Sequence, residues 1–532
     1  MTSLLRPLGR RAVLAGTAAV LAQPAVAQPE RTRVLRFVPA ANLSFLDPVF
    51  TTAGVTATHG FAVFDTLFGL DSGLQPRPQM AEGHEAGDDG RTWLIRLRPG
   101  LRFHDGEPVL ARDCVASLLR WSRRDGFGQS LAALADTWDA PDDRTLRLRF
   151  RRPVGPVLQA IAHTTVSTAF MMPERLAKTD PMTQVTEMVG SGPFRFLPSE
   201  YVSGSRVGYA RFEGYVPRDE KADWTAGGKR AHFDRVEWHV IPDPATAAAA
   251  LQAGEVDWWE YILPDLAPTL AANRSLQVQP VNRYGLVSVL RFNFIQKPFD
   301  NPALRRVVLS AINQADYLRA VVGDDQAAGR TCFSMFACDI PGGRETLAPA
   351  MAKPLDVDRA RAAVRDAGYR GERVVILNPT DYAFIQACGT VTADLLTRLG
   401  MNVDLQSMDF GTLLRRRTNR EGVDKGGWSI FHTGANADGM GNPGVNYYIR
   451  GQGADGWPGW FSSPEMERYS AEWMGETDPA RASALLDRIQ QLASEQVPFI
   501  PLGQWYFRSA LRRDISGVVP STSSLFWNAR IG

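Results

Sequence analysis

Hydrophobic and polar residues alternate along residues 92–98 and again along residues 144–150. A period of two predicts a β-strand with one buried face, so each segment is expected to be a strand. Between them, the apolar residues of positions 110–121 recur at roughly helical spacing and predict an amphipathic helix. A further strand is expected at residues 401–405, directly after Gly400.

Capping residues and glycines mark the predicted helix boundaries. A capping side chain followed by proline predicts a helix start at Asp243-Pro244, Asn301-Pro302 and Asp478-Pro479. Helix ends are expected at Gly254, Gly368 and Gly400. Because strand and helix signals alternate from end to end, the sequence predicts an α/β fold with mixed sheets.

The length of the chain, 532 residues, exceeds what one hydrophobic core usually serves and predicts two or three lobes. No Pro/Gly/Ser-rich tether divides it, so the lobes are expected to be discontinuous in sequence. Acidic and basic residues are interspersed, and this excludes the electrostatic footprint of a surface for nucleic acid or anionic membrane.

The first 27 residues have the three-part layout of an export signal. Arg10-Arg11 precedes an apolar run at residues 12–22, and Ala25-Val26-Ala27 forms a small-residue cleavage site. The run has 11 residues, about half the roughly 20 that a membrane-spanning helix needs, so it is not an anchor. Cleavage after Ala27 lowers the formal net charge by three, from +2 to −1. We expect a soluble periplasmic protein that starts at Gln28 and has no membrane span in its mature form.

Four cysteines are too few for a disulfide scaffold. Cys332 and Cys338 are six residues apart and are the candidate disulfide in an oxidising compartment, with two free thiols as the alternative. Cys114 and Cys388 lie in helical patterns among apolar neighbours and are expected to be buried free thiols.

Motifs for catalysis are weak. No two of the seven histidines have the i, i+4 spacing of zinc ligands, and no Gly-x-Ser-x-Gly elbow occurs. The glycines at 451–456 match a dinucleotide pattern, but Trp457-Pro458 follows where a helix would be required, which favours a plain loop. His104-Asp105-Gly106 is more simply a turn than a catalytic pair. No nucleophile, base and orienting group assemble, so we expect neither an enzyme nor a cofactor.

Eight segments, taken in order, resemble the family 5 extracellular solute-binding proteins of ABC importers, which include the dipeptide- and oligopeptide-binding proteins. The most distinctive segment is residues 92–108, which contains Arg98-Pro99-Gly100 and His104-Asp105-Gly106. The other segments are Leu46-Asp47-Pro48, Phe64-Asp65-Thr66-Leu67-Phe68, Val189-Gly190-Ser191-Gly192-Pro193-Phe194, 251–257, 292–305, Ala367-Gly368-Tyr369 and 497–502.

The resemblance implies the two-lobed type II fold of periplasmic binding proteins, with an additional subdomain on the first lobe. Lobe I is expected at residues 28–50, 185–290 and 500–532, the subdomain at 51–184 and lobe II at 291–499. It also implies that a peptide or similar small solute binds in the cleft of a monomer, which then docks on an ABC permease of the inner membrane.

The resemblance also implies an acidic anchor that this chain lacks. In dipeptide and oligopeptide binders an Asp three residues after a Gly-Trp pair holds the ammonium group of the peptide. Here the pair is Gly427-Trp428 and the third residue is Phe431, which cannot pair a charge. Asp438 is the candidate replacement, with a turn residue before Gly439 as its alternative; otherwise the solute is not a simple α-amino peptide.

Candidate cleft residues follow from position in the resembled pattern, and Tyr261 is expected on the same face as Trp259. They are Thr51, Thr52, Trp258, Trp259, Tyr261, Phe431, His432, Thr433, Asn436 and Asp438. Three other functions stay open: a carrier of a metal chelate, opine or sugar derivative, a secreted hydrolase, and a chemoreceptor partner or chaperone with the same fold.

Overall fold

Three sheets hold most of the strands in the computed structural model, which describes residues 33–532 apart from 88, 89, 165, 166, 341 and 477. The predicted export signal and the predicted start at Gln28 lie outside the described residues. Within the described part of the chain, no helix combines the length and apolar character needed to cross a membrane.

The largest sheet has seven strands. In spatial order they are Phe194–Val202, Arg206–Arg211, Arg235–His239, Val34–Val38, Trp258–Trp259, Arg508–Arg512 and Leu276–Pro280. The central strand Val34–Val38 runs parallel to both of its neighbours, while the outer pairs are antiparallel.

The second sheet has six strands. In spatial order they are Gly329–Arg330, Ile500–Trp505, Leu286–Phe292, Ile430–Asn436, Arg373–Pro379 and Asn402–Met408. Arg373–Pro379 is parallel to both of its neighbours. The predicted strand after Gly400 is therefore confirmed, and it forms an edge of this sheet.

A smaller antiparallel sheet contains the two strands with the clearest alternation. Its strands, in spatial order, are Ala81–Gly87, Thr92–Leu97, Thr145–Phe150 and Ala135–Asp139. The helix Ala111–Trp121 packs on Thr145–Phe150 and buries Cys114 and Leu118 against it. Both predicted strands and the predicted helix are confirmed, and most of their apolar positions face one shared core. Leu119 of the helix is the exception, since it is exposed.

The three proline-marked helix starts are also confirmed. The side chain of Asp243 accepts a hydrogen bond from the Thr246 amide at 2.7 Å, and Asn301 and Asp478 cap their helices in the same way. The helices of the described residues are Gly54–Val63, Ala111–Trp121, Gly126–Leu134, Val157–Ala162, Glu174–Ala177, Pro244–Ala253, Ala267–Ala272, Pro302–Ala311, Gln314–Val322, Ala348–Met351, Val357–Asp366, Ala383–Arg398, Phe410–Arg416, Pro464–Gly475 and Pro479–Gln496.

The chain crosses between the two large sheets at residues 281–285 and again at 506–507. Leu286–Phe292 and Ile500–Trp505 pair with each other inside the six-stranded sheet. The changes of sheet therefore lie a few residues from the boundaries expected after residues 290 and 499. A short apolar strand carries no signal for which of two sheets it joins, so such boundaries depend on pairing. The division into lobes stays a prediction.

Cys332 and Cys338 form a disulfide with their Cα atoms 6.0 Å apart, while Cys114 and Cys388 are buried free thiols. The loop that the disulfide closes lies beside the second crossing. The side-chain amide of Gln504 accepts from the Cys338 amide at 3.0 Å and donates to the Tyr284 carbonyl at 2.8 Å. Gln504, which lies two residues before the second crossing, therefore connects the disulfide loop with the first crossing.

Candidate functional site

A narrow cavity of about 70 Å³ lies between the two large sheets. On one side it is lined by the residues that follow Val34–Val38 and Trp258–Trp259, and by the amino end of the helix Gly54–Val63. On the other side it is lined by the carboxyl end of Ile430–Asn436 and by the segment after Arg373–Pro379. These are the carboxyl ends of parallel strands in both sheets, where open α/β sheets usually bind ligands.

A larger cavity of about 940 Å³ adjoins the first, and Thr52 lines both. Its lining is rich in aromatic rings and arginines: Phe50, Arg123, Arg124, Trp138, Arg420, Tyr447 and Trp457. Thr51 lines this cavity as well. The same lining also contains the acids Asp125, Asp136 and Asp455. A solute in the narrow cavity can therefore extend past Thr52 into a roomier space that carries charges of both signs.

Hydrogen bonds between the two walls close the cleft. Arg417 donates to the Thr52 hydroxyl at 2.8 Å, and the Thr164 hydroxyl donates to Asp438 at 2.9 Å. The Asn436 side chain donates to the Thr522 carbonyl at 3.2 Å. Because each bond joins one wall of the cleft to the other, opening the cleft breaks all three.

Arg417 is the outstanding charge in the narrow cavity. Its side chain is buried between the rings of Trp457 and Phe431, at 5.2 and 6.0 Å from their centres. Within the described residues, no carboxylate lies within 4.0 Å of it, and its Nε is buried without an acceptor. Burial lowers the pKa of the guanidinium to about 10, so it stays charged at neutral pH. Buried charges are normally paired, so Arg417 has an unused capacity for an anion.

Four predicted site residues line the narrow cavity: Thr52, Tyr261, Thr433 and Asn436. Tyr261 was expected on the same face as Trp259 on a continuing strand. The strand ends at Trp259 instead, and the chain bends so that the Tyr261 ring stacks on Phe507 at 4.8 Å.

Trp258 and Trp259 do not line either cavity, contrary to the expectation from the sequence. As consecutive strand residues they point to opposite faces of the seven-stranded sheet. Trp258 packs on Phe37 and Phe526, and Trp259 lies in a second cluster with Leu251. Both rings fill hydrophobic cores.

Phe431 and His432 also lie outside the lining. Phe431 is fully buried, and its ring packs against the guanidinium of Arg417. His432 points to the opposite face of the strand, where its Nε2 shares a hydrogen bond of 2.8 Å with Thr392 of the covering helix. Burial lowers the pKa of His432 to about 3, so the imidazole is neutral.

Asp438 stands beside the narrow cavity rather than in its lining. One carboxylate oxygen accepts from Thr164, and the other is buried without a partner. Burial raises the pKa of Asp438 to about 6, and the bond from Thr164 opposes this shift. Asp438 thus contributes to the contact between the walls.

Sequence reasoning missed Arg417, Glu260 and Tyr382, which all line the narrow cavity. Arg417 ends a run of three arginines, whose composition is typical of a solvated helix end. Glu260 could have been predicted from the sequence. It directly follows the apolar pair Trp258-Trp259, and an acid at the end of a buried strand is a candidate for a binding site.

Comparison with known proteins decides the family. Residues 75–457 match the model for bacterial extracellular solute-binding proteins, family 5. The chain belongs to this family. A probable peptide ABC transporter periplasmic-binding protein, y4tO of Sinorhizobium fredii strain NBRC 101917 / NGR234, is similar, with 37% identity over 99% of each chain.

Solved structures show that this family 5 protein has the two-lobed type II fold of periplasmic binding proteins, as the sequence predicted. AgaA in complex with agropinic acid, from A. tumefaciens R10, aligns with a TM-score of 0.79 and 21% identity over 94% of this chain and 99% of AgaA. DppA from Helicobacter pylori in complex with the peptide STSA aligns with a TM-score of 0.78 and 20% identity, over 94% of this chain and 98% of DppA.

Proposed function

We propose that this protein is the periplasmic solute-binding subunit of an ABC importer, and that it captures a peptide or similar small solute between its two large sheets. The closed complex then delivers the solute to a permease in the inner membrane. Binding shifts an open–closed equilibrium, because a solute that touches both walls stabilises the closed form alone. The protein acts as a monomer in this proposal.

The observation that carries the proposal is the unpaired Arg417 in a cavity walled by both sheets. A guanidinium binds a carboxylate through two parallel hydrogen bonds, and Arg417 has its Nε free for one of them. The amino end of the helix Gly54–Val63 lines the same cavity and has no side-chain cap. The positive end of its dipole favours an anion as well. The solute therefore carries a carboxylate.

A peptide is the first candidate, supported by the y4tO relative and by the peptide complex of DppA. An opine is the second, supported by the agropinic acid complex of AgaA and by Phe431, which replaces the expected ammonium anchor. Both classes carry the carboxylate that Arg417 requires.

Export by the twin-arginine route with cleavage after Ala27 belongs to the same proposal. Arg10-Arg11 and Ala25-Val26-Ala27 support it. The mass of the protein recovered from the periplasm tests it, since a chain that starts at any residue other than Gln28 contradicts the predicted cleavage site.

Thermal unfolding against a solute library tests the function. The protein is refolded from denaturant to remove bound solute and is then mixed with dipeptides, tripeptides, opines, metal chelates and sugars. A solute at 100 times its Kd adds about 2.7 kcal/mol to the stability and raises the midpoint. Each hit is compared with its carboxyl amide. A shift by acids and not by their amides supports the proposal, and no shift by any class contradicts it.

A further inference from the structure

Glu260 is a second buried charge in the narrow cavity, on the wall opposite Arg417. Its side chain is 4% exposed and follows the strand Trp258–Trp259 of the seven-stranded sheet. Among the described residues, no Lys, Arg or His forms an ion pair with its carboxylate. Burial raises the pKa of this carboxyl group, while the hydrogen bonds from Ala40 and Ser524 lower it.

Each oxygen of Glu260 accepts one hydrogen bond from the protein. The Ala40 amide donates to Oε2 at 2.8 Å, and the Ser524 hydroxyl donates to Oε1 at 2.9 Å. A carboxylate has about four acceptor positions, so both oxygens retain capacity for a further donor. The two protein bonds fix the orientation of the carboxylate without neutralising its charge.

Aromatic and hydroxyl groups surround Glu260 in the cavity. Tyr261 and Tyr382 both line it, and the charge of Glu260 raises the pKa of each phenol in addition to the effect of burial. The hydroxyl of Thr522 lines the cavity and is buried without a partner. An acid flanked by aromatic faces and an unused hydroxyl is a suitable environment for an ammonium group.

We infer that Glu260 holds a cationic group of the solute, so that the cleft selects a zwitterion with its anionic end at Arg417. The inference rests on the proposed function and specifies its solute class. It also accounts for Phe431, which stands on the six-stranded sheet where related proteins have the aspartate that holds the ammonium group. In this chain Glu260 of the seven-stranded sheet takes that role. Each charged end of the solute then contacts one wall of the cleft. Only a molecule that carries both charges therefore stabilises the closed form through both walls.

The test compares each probe in two forms, one with a free amine and one with the amine blocked by acetylation. The probes are the dipeptide Ala-Phe, its N-acetyl derivative, a tripeptide mixture before and after acetylation, and agropinic acid as a non-peptide acid. Titration calorimetry is done on wild type, Glu260→Gln and the matched control Glu255→Gln. Glu260→Gln removes the charge at nearly constant shape, and Glu255→Gln makes the same change at an exposed acid that lines neither cavity.

Wild type is expected to bind free-amine probes at least about tenfold more tightly than their acetylated forms. Glu260→Gln is expected to abolish this preference by weakening only the free-amine forms, and Glu255→Gln is expected to keep it. A merely structural role for Glu260 would weaken both forms equally. If Glu260→Gln does not fold, the wild-type comparison alone still overturns the inference when acetylated probes bind as tightly as free amines.

The inference is overturned if acetylated probes bind wild type as tightly as free amines, or if Glu260→Gln retains the preference. The proposed function survives either result, because solutes still bind. If no probe of any class binds, the inference and the proposed function both fail.

Discussion

Arg417 and Thr52 are joined by a hydrogen bond of 2.8 Å across the cleft, although 365 residues separate them in sequence. The arginine directly follows the helix Phe410–Arg416, and the threonine precedes the helix Gly54–Val63. Arg417 also lines the narrow cavity. Closure of the cleft and recognition of the solute therefore depend on the same side chain.

Replacing Arg417 by Met is expected to weaken binding of carboxylate solutes at least tenfold, since loss of one partner of a buried charge pair costs about 2 kcal/mol or more. The same change removes an unpaired buried charge from the solute-free protein. The midpoint of thermal unfolding without solute is therefore expected to stay equal or rise. Calorimetric titration and thermal unfolding measure the two effects.

The matched control is Arg415→Met two residues earlier, where the arginine is exposed and its side chain donates a hydrogen bond to the Thr412 hydroxyl. It is expected to change neither quantity measurably. Equal loss of affinity in both variants would contradict a specific role for Arg417.

The raised pKa of Asp438 predicts that the stability of the protein depends on pH. The pKa of Asp438 is about 6 in the folded protein, against 3.8 when unperturbed, so the folded state binds the proton more tightly than the unfolded state. Stability contributed by the protonated acid is present below pH 3.8, declines between pH 3.8 and 6 and is absent above pH 6. Asp438→Asn keeps an acceptor for Thr164 and removes this decline. We expect the variant to exceed wild type in unfolding midpoint at pH 7 and to lose that advantage at pH 4.

The comparison uses Asp366→Asn as the control, because Asp366 is exposed at the end of the helix Val357–Asp366. The control is expected to follow the wild-type pH profile. If Asp438→Asn shows the same difference from wild type at pH 4 and pH 7, the carboxyl group does not titrate in this range.

Local sequence patterns were sufficient for much of the fold. Alternation at 92–98 predicted the strand Thr92–Leu97, because one face of that strand meets a core and the other meets solvent. The same reasoning fails where a strand is buried on both faces. All seven residues of Leu286–Phe292 are buried, so periodicity says nothing about the sheet to which the strand belongs.

The candidate site was harder to predict, because cavity lining depends on which way a side chain points at the end of an element. Tyr261 and Thr433 line the narrow cavity, while Trp258 and His432 point into cores from neighbouring positions. Arg417 was missed because its distinguishing property is the absence of a carboxylate partner. That absence arises only when distant segments meet, and no local pattern encodes it.

The disulfide is expected to contribute to stability. It closes a loop between residues six positions apart, and a loop of this size stabilises by about 2 kcal/mol in the chain-entropy model. Replacing Cys332 and Cys338 together by Ala is expected to lower the free energy of unfolding in urea by this amount. Reducing agent should lower the stability of wild type equally and leave the double variant unchanged. A reductant effect that persists in the double variant would assign it to another group.

Asp47 of the Leu46-Asp47-Pro48 segment has a structural role in the protein. Its carboxylate is fully buried and accepts two hydrogen bonds from Arg120, at 2.7 and 3.2 Å, and a third from the Val185 amide. Arg120 lies on the helix Ala111–Trp121, so the pair attaches that helix to the segment before Gly54–Val63.

Asp47→Asn is therefore expected to lower the free energy of unfolding by about 3 kcal/mol or more, because it leaves the Arg120 charge buried without its carboxylate. The control is Glu187→Gln, which removes an exposed partner of Arg175 and is expected to cost less than about 1 kcal/mol. Urea unfolding of both variants measures the difference. Solute affinity should stay within about threefold of wild type in the folded fraction of Asp47→Asn, since neither Asp47 nor Arg120 lines either cavity. A large loss of affinity with unchanged stability would instead place Asp47 in the binding machinery.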